Sequence, residues 1–270
     1  MVDVPPVIGS EGSLRVGTWN MEKYPLAQSG KGPEAADFLA AARAELWLLT
    51  EVNARWQTPG QDLVASPRRT LGGAQERWAG IQTALPMVRL LDDGRTPAAA
   101  EESLCLARIQ MRAGSFATTV LTACSVLPWG GAGDSWPNLP ATDLDTQAEF
   151  VLDHHIERIR SARRPGEPLI WGGDFNQALR RPNPELQRAH HRTFGTVAGI
   201  SRLETAFESL ELQVLTASAG HCISGREAID HLAVSRDISA IGDIEVLRPP
   251  ARAGGQRLSD HAAYVADLDL

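Results

Sequence analysis

Cysteine is scarce in this chain: three in 270 residues, Cys105, Cys124 and Cys222, far apart and without a CxxC pairing. That number and spacing exclude a disulfide framework and a cysteine-based zinc site. They are expected of buried thiols in a reducing compartment, so the expected location is cytoplasmic. No apolar run approaches the length needed to span a membrane. The residues before Leu14 carry Pro5, Pro6, Gly9 and Gly12 but no basic stretch followed by an apolar one, so no secretory signal is read. Positive charge is also short, with a formal net charge of -7. This speaks against a protein that coats nucleic acid by charge alone. A nuclease stays open, because a cation held among carboxylates reverses the field that a phosphate meets. Serine-nucleophile elbows of the GxSxG type are absent, and Gly130-Gly131-Ala132-Gly133 lacks the GxGxxG and GxxxxGKS spacings of a phosphate cradle, so it reads as a loop. His221-Cys222, in an apparent loop, is not read as a nucleophile pair.

What is present is a 43% hydrophobic chain long enough for one large α/β core. Residues 1–13 are expected to be a flexible N-terminal segment and 14–270 a single domain. Strand-like segments recur at Leu14 to Trp19, Leu46 to Thr50, Trp78 to Leu85, Leu104 to Met111, Phe116 to Cys124, Leu169 to Trp171, Leu212 to Leu215, Ala228 to Ser235, Ile244 to Leu247 and Ala262 to Leu268. Helical periodicity marks Pro33 to Ala44, Asp143 to Arg164 and Ser201 to Leu210. Many strands with few helices predict a layered α/β domain, not a regular doubly wound alternation. Trp56 to Ala74, Trp129 to Thr142 and Gln177 to Gly199 read as loops, where substrate choice is expected to reside.

The informative stretch is Gly172-Gly173-Asp174-Phe175-Asn176, which follows the apolar run Pro168 to Trp171. A buried strand ending in Gly-Gly delivers its next side chains to solvent, and in extended geometry Asp174 and Asn176 point to one side. A carboxylate and an amide aimed together can hold a water or help bind a hard metal ion. Four more strand-like segments end or begin in such groups: Asn20-Met21-Glu22 after Leu14 to Trp19, Glu51 after Leu46 to Thr50, Asp230-His231 within Ala228 to Ser235, and Asp260-His261 before Ala262 to Leu268. His154 and His155 adjoin on a helix about 100° apart and cannot readily chelate one ion.

In order and spacing these elements resemble the endonuclease/exonuclease/phosphatase superfamily, metal-dependent phosphoesterases that include pancreatic-type deoxyribonucleases and abasic-site endonucleases. The resemblance runs from about Leu14 to the C-terminus, and the GDFN and SDH elements carry it. It implies a four-layer sandwich of two mixed β-sheets packed face to face and flanked by helices, with the site at one end. It further implies hydrolysis of a phosphate ester by water without a covalent intermediate, most often at a phosphodiester bond. A phosphomonoesterase for small molecules, or a weak enzyme that serves as a binding protein, are the alternatives.

The resemblance assigns Mg2+ or Mn2+ to Glu51, Asn20, Glu22 and Asp260, with Glu22 standing where the family has Asp. It gives Asp174 the attacking water, Asn176 and His261 the phosphate, and Asp230 the role of His261's carboxylate partner. His231, next to Asp230, is expected to point the other way into a structural role. One position departs from the pattern. Where many members carry Tyr or His near the end of a central strand, this chain has Ser125 and Val126, neither an acid at neutral pH. The partner expected is a phosphate-ester substrate, DNA or RNA included. Arg180, Arg181 and Arg192, in a basic segment with Arg188, His190 and His191, are expected to hold its further phosphates. No membrane contact is expected, and no protein partner is inferable.

Overall fold

The strands of the computed structural model are β1 (Ser13–Asn20), β2 (Leu46–Asn53), β3 (Asp62–Ala65), β4 (Glu76–Thr83), β5 (Met87–Arg89), β6 (Leu104–Ala113), β7 (Phe116–Val126), β8 (Leu169–Asp174), β9 (Leu212–Val214), β10 (Asp230–Ser235), β11 (Ser239–Leu247) and β12 (Ala263–Asp269). Its helices are α1 (Gly32–Ala42), α2 (Leu144–Ala162) and α3 (Val197–Ser209). The structure describes residues 12–91, 100–113, 116–128, 136, 139, 143–180, 195–252 and 256–270. Most of the expected N-terminal segment therefore lies outside the described residues.

Two six-stranded sheets form, in the orders β11-β12-β1-β2-β4-β3 and β5-β6-β7-β8-β10-β9. Both are mixed: β1 with β2 and β7 with β8 are parallel, and the other pairings are antiparallel. The sheets face each other across Leu14, Val16, Leu46, Leu48 and Ile81 on one side and Ile109, Val120, Ile170, Leu232 and Val234 on the other, all buried. Burying one such side chain stabilises the fold by about 1.5–3 kcal/mol, so the inner layer fixes the sandwich. The outer face of the first sheet packs α1 through Trp19, Trp47 and Leu39, and that of the second packs α2 and α3 through Trp171, Val151, Leu203 and Phe207. The four-layer sandwich expected from the sequence is the fold observed.

Local signals account for most boundaries. Pro33 sits in the first turn of α1, which closes on Arg43 in the left-handed region (φ 57°). Asp143 caps α2 by accepting the Thr146 N–H at 2.9 Å, and Thr196 caps α3 by accepting the Gly199 N–H at 3.0 Å. That cap starts α3 four residues before the expected Ser201, because Gly199 hides the helical pattern. Gly173 explains the glycine pair: at φ +132° its Cβ would lie 2.0 Å from the Ser125 carbonyl oxygen of neighbouring β7. Gly173→Ala is therefore expected to destabilise the protein by about 2–4 kcal/mol, as read by urea unfolding.

A buried ion pair ties the second sheet to the end of α2. Glu167 accepts from Arg108 Nε at 2.6 Å, from Thr119 Oγ1 at 3.3 Å and from the Arg164 N–H at 2.9 Å. Burial opposes its charge, but the hydrogen bonds from Arg108, the Arg164 N–H and Thr119, together with the Arg108 charge, outweigh burial and hold the carboxyl below its usual range. A carboxylate with a depressed folded pKa adds stability above its unfolded pKa, and that stability is lost as pH falls through the folded value. Glu167→Gln leaves Arg108 uncompensated and is expected to cost about 3 kcal/mol at neutral pH. The difference from wild type should narrow when urea melts are repeated at about pH 3.5.

Candidate active site

One end of the sandwich gathers the exits of β1, β2 and β8. The start of β10 joins them because β10 runs antiparallel to β8, with Asp230 directly opposite Asp174. The turn into β12 adds Asp260 and His261. Asn20, Asp174 and Asp230 are buried, Glu51, Glu22, Asn176 and His261 are half-buried, and Asp260 is exposed.

Asn20 is engaged at both ends of its amide. Its Nδ2 donates to Asp174 Oδ2 at 2.9 Å and toward Glu51 Oε1 at 3.4 Å, while its Oδ1 accepts the Glu22 N–H at 2.8 Å. The chain then passes through three consecutive left-handed residues, Glu22, Lys23 and Tyr24 (φ 53°, 62° and 50°), and Glu51 itself has φ 51°. Left-handed non-glycine residues cost free energy and gather at functional sites. Here the run turns N–H groups onto Glu51: Lys23 N–H reaches its Oε2 at 2.7 Å and Tyr24 N–H its carbonyl at 3.1 Å. The Glu22 side chain pairs with Lys23 Nζ at 2.6 Å and lies 3.6 Å from Lys31 Nζ. The Lys23 ammonium has its pKa raised by Glu22 first, then by Asp260 and Glu51. Three of the expected ligand carboxylates thus act on one cation already, and this set of hard oxygen donors suits Mg2+ or Mn2+.

Asp174 and His261 form the second half. Asp174 Oδ1 accepts the Asn176 N–H at 3.0 Å, and burial followed by the facing Asp230 carboxylate pushes Asp174 up to about 7. Asp230 Oδ2 accepts from His261 Nδ1 at 2.7 Å, and its Oδ1 is buried without a hydrogen bond. Burial disfavours the His261 cation, but Asp230 and then Asp174 outweigh it and hold His261 at about 10. The imidazolium is thus fixed by Nδ1, with Nε2–H 3.7 Å from Asp260 Oδ1.

Asn176 reaches the site by a route the sequence did not indicate. The backbone leaves the strand after Asp174 and Asn176 is left-handed (φ 51°), so the extended alternation expected for the pair does not hold. Its Nδ2 donates to the Leu127 carbonyl at 2.9 Å, and the residue still lines the same cavity as Asp174. His231 points into the core, with Thr216 Oγ1 at 3.1 Å and the Gln177 carbonyl at 2.7 Å. Ser125 accepts from Trp171 Nε1 at 2.8 Å and Val126 is buried, so at the β7 exit the cavity wall consists of Leu127 and Pro128. Arg180 is exposed; Arg181, Arg188, His190, His191 and Arg192 lie outside the described residues.

No protein-family model matches the chain, and no curated protein matches it in sequence. Solved structures do match. The endonuclease domain of TRAS1, a telomere-specific non-LTR retrotransposon, superposes with a TM-score of 0.60 at 17% identity over 96% of this chain and 99% of that one. An AP endonuclease from Archaeoglobus fulgidus gives 0.66 at 15% over 95% and 100%. An endonuclease/exonuclease/phosphatase protein from Beutenbergia cavernae gives 0.58 at 13% over 96% and 72%. This chain has the endonuclease/exonuclease/phosphatase fold. At these identities the likeness is one of fold, so chemistry has to come from the residues.

Within that fold two residues emerge that the sequence did not single out as site residues. His221 is buried beside His261, ring centroids 5.4 Å apart, with Nδ1 accepting the Ile223 N–H at 3.0 Å. Burial, then the His261 charge, lowers it to about 4, so it is neutral. Its neighbour Cys222 packs instead against Ala228, Ala262 and Tyr264. Gln177 clips the start of α3: its Oε1 accepts the Thr196 N–H at 3.0 Å, and a Cβ on Gly199 would meet that oxygen at 2.2 Å. Neither role has a sequence signal, since both depend on where a loop returns. Among the described residues no helix is long and apolar enough to cross a membrane.

Proposed function

We propose that the protein is a divalent-metal-dependent phosphoesterase that attacks a phosphodiester with water and forms no covalent intermediate. The observation that carries this reading is the pairing of two opposed acid–base states on adjacent strands. Asp174 is held near neutrality as an ionisable base, while His261 is held as a cation by the Asp230 carboxylate 2.7 Å away. Environments that push neighbouring groups apart in this way mark acid and base roles. The solved structures similar in fold, described as an endonuclease domain and AP endonucleases, agree with it.

Glu51 and Asp260, with Glu22, would hold Mg2+ or Mn2+. Such an ion neutralises charge growing on phosphoryl oxygens and stabilises the leaving oxygen. The chain's own residues do the rest. Asp174, oriented by Asn20 Nδ2 and the Asn176 N–H, takes the proton of the attacking water. His261 Nε2–H donates to a phosphoryl oxygen, and Asp230 keeps it charged and oriented. Asn20 acts through Asp174 and Glu51. Leu127 and Pro128 stand where an acid for the leaving group would be, so among the described residues no side chain there protonates the departing oxygen.

Glu51→Gln keeps shape and removes charge. It is expected to weaken Mg2+ or Mn2+ binding by about 10-fold or more in calorimetric titration, against the wild-type chain. Equal affinities would remove Glu51 from the metal site.

A further inference from the structure

The cavity that holds the carboxylates does not end with them. It continues, as one space of about 580 Å3, into a cleft between the first turns of α2 and α3. There its walls include Leu127, Pro128, Leu152, Phe175, Leu203 and Ile229, with Asp145, Glu149, Gln177, Thr196 and Arg202 beside them, and Leu152, Phe175, Leu203 and Ile229 are each no more than 4% exposed. Such walls, on helices and strand ends, form a preformed apolar pocket of the size that takes a ring or a nucleoside. Cross-ties hold the two helices at this spacing: Arg202 Nη1 donates to the Asp145 carbonyl at 3.0 Å and Nη2 lies 2.9 Å from Glu149 Oε2.

The charges of the lining bear on the substrate. Its described cations, Lys23, Arg202 and His261, are each paired with a carboxylate, those of Glu22, Glu149 and Asp230. Among the described lining residues each of these cations thus already has an acidic partner. At the β7 exit, where the resemblance would place an acid for the leaving group, the cavity wall is leucine and proline. An ester whose alcohol leaves without protonation, such as an aryl ester, suits that arrangement.

We infer that the α2–α3 cleft binds one flat apolar ring carried on the scissile phosphate, so that the substrates are small aryl-type phosphate esters. This deepens the phosphoesterase reading and rests on it for the position of the phosphate. The test is competitive binding of phenyl phosphate and methyl phosphate to the full chain with Mn2+, followed by calorimetry, in wild type and Ala148→Phe. Ala148 lines the cleft from α2 and is half-buried, so a phenyl group there fills the space without disturbing the core. Wild type should prefer phenyl phosphate by about 10-fold or more, from burial of the ring, and Ala148→Phe should bring that ratio close to one. Ala148→Ser, which keeps the space, should retain it. Equal affinity for the two phosphates in wild type, or an undiminished ratio in a folded Ala148→Phe, would overturn the inference. So would an oligonucleotide that displaces both ligands at far lower concentration with a steep salt dependence. A preserved ring preference without turnover of any phosphate ester would support the cleft and strike at the hydrolase reading alone.

Discussion

Asp174→Asn is expected to lower kcat by more than about 100-fold while leaving the fold intact, because a positioned general base contributes about 100- to 10,000-fold. The amide preserves size, and its one oxygen can keep one of the two donors, Asn20 Nδ2 or the Asn176 N–H, that Asp174 accepts from on separate oxygens. What it removes is the capacity to take a proton. The wild-type pH profile should carry the same signature. Asp174 is raised to about 7 by burial and by Asp230, so kcat/KM should rise with pH through neutrality as the carboxylate ionises. A divalent ion nearby favours the charged form, so higher Mg2+ should move this limb to lower pH. A variant with wild-type kcat, or one that retains the acid limb, would take the base role from Asp174.

His261→Gln is expected to cost a similar factor, more than about 100-fold, and to act on kcat more than on KM. Its imidazolium is maintained by Asp230 and Asp174 against burial up to about 10, so activity that depends on the charged form should decline on the alkaline side near that value. Glutamine keeps a donor but no charge. Asp230→Asn offers an independent check, since it leaves His261 in place and removes the carboxylate that holds its proton. It should lower the alkaline limb by more than one pH unit, roughly the effect of losing a close opposite charge. An alkaline limb that stays put in Asp230→Asn would mean the pair is only a structural tie.

Much of this architecture is legible in the sequence because the site lies where buried strands stop. Apolar runs such as Leu46–Leu49 and Leu169–Trp171 cannot continue into solvent, so Glu51 and Asp174 mark their exits. Asp230–His261 is different: the two residues are 31 apart and meet only because β10 and the turn into β12 converge, which a single sequence shows through resemblance alone. Short edge strands escape notice. β3, Asp62–Ala65, lies in a stretch read as a loop, since four half-exposed residues carry no alternation. β11 reads as Ile244 to Leu247 but extends from Ser239, because an exposed edge strand needs no apolar face. The left-handed Asn176, the clip made by Gln177 and the place of His221 beside His261 follow from tertiary contacts that no local pattern encodes. The departure at Ser125 and Val126 was legible; its consequence, an apolar wall continuous with the α2–α3 cleft, was not.

The most direct measurement is turnover of a bis-aryl phosphodiester by the full chain with Mn2+ or Mg2+, beside the same reaction with a chelator and with Asp174→Asn. The account predicts release of the aryl alcohol that needs the divalent ion, stops with the chelator and falls by more than about 100-fold in the variant. Hydrolysis that persists undiminished in the chelator or in Asp174→Asn, or a well-folded wild-type chain that cleaves no phosphate ester with either ion, would contradict it.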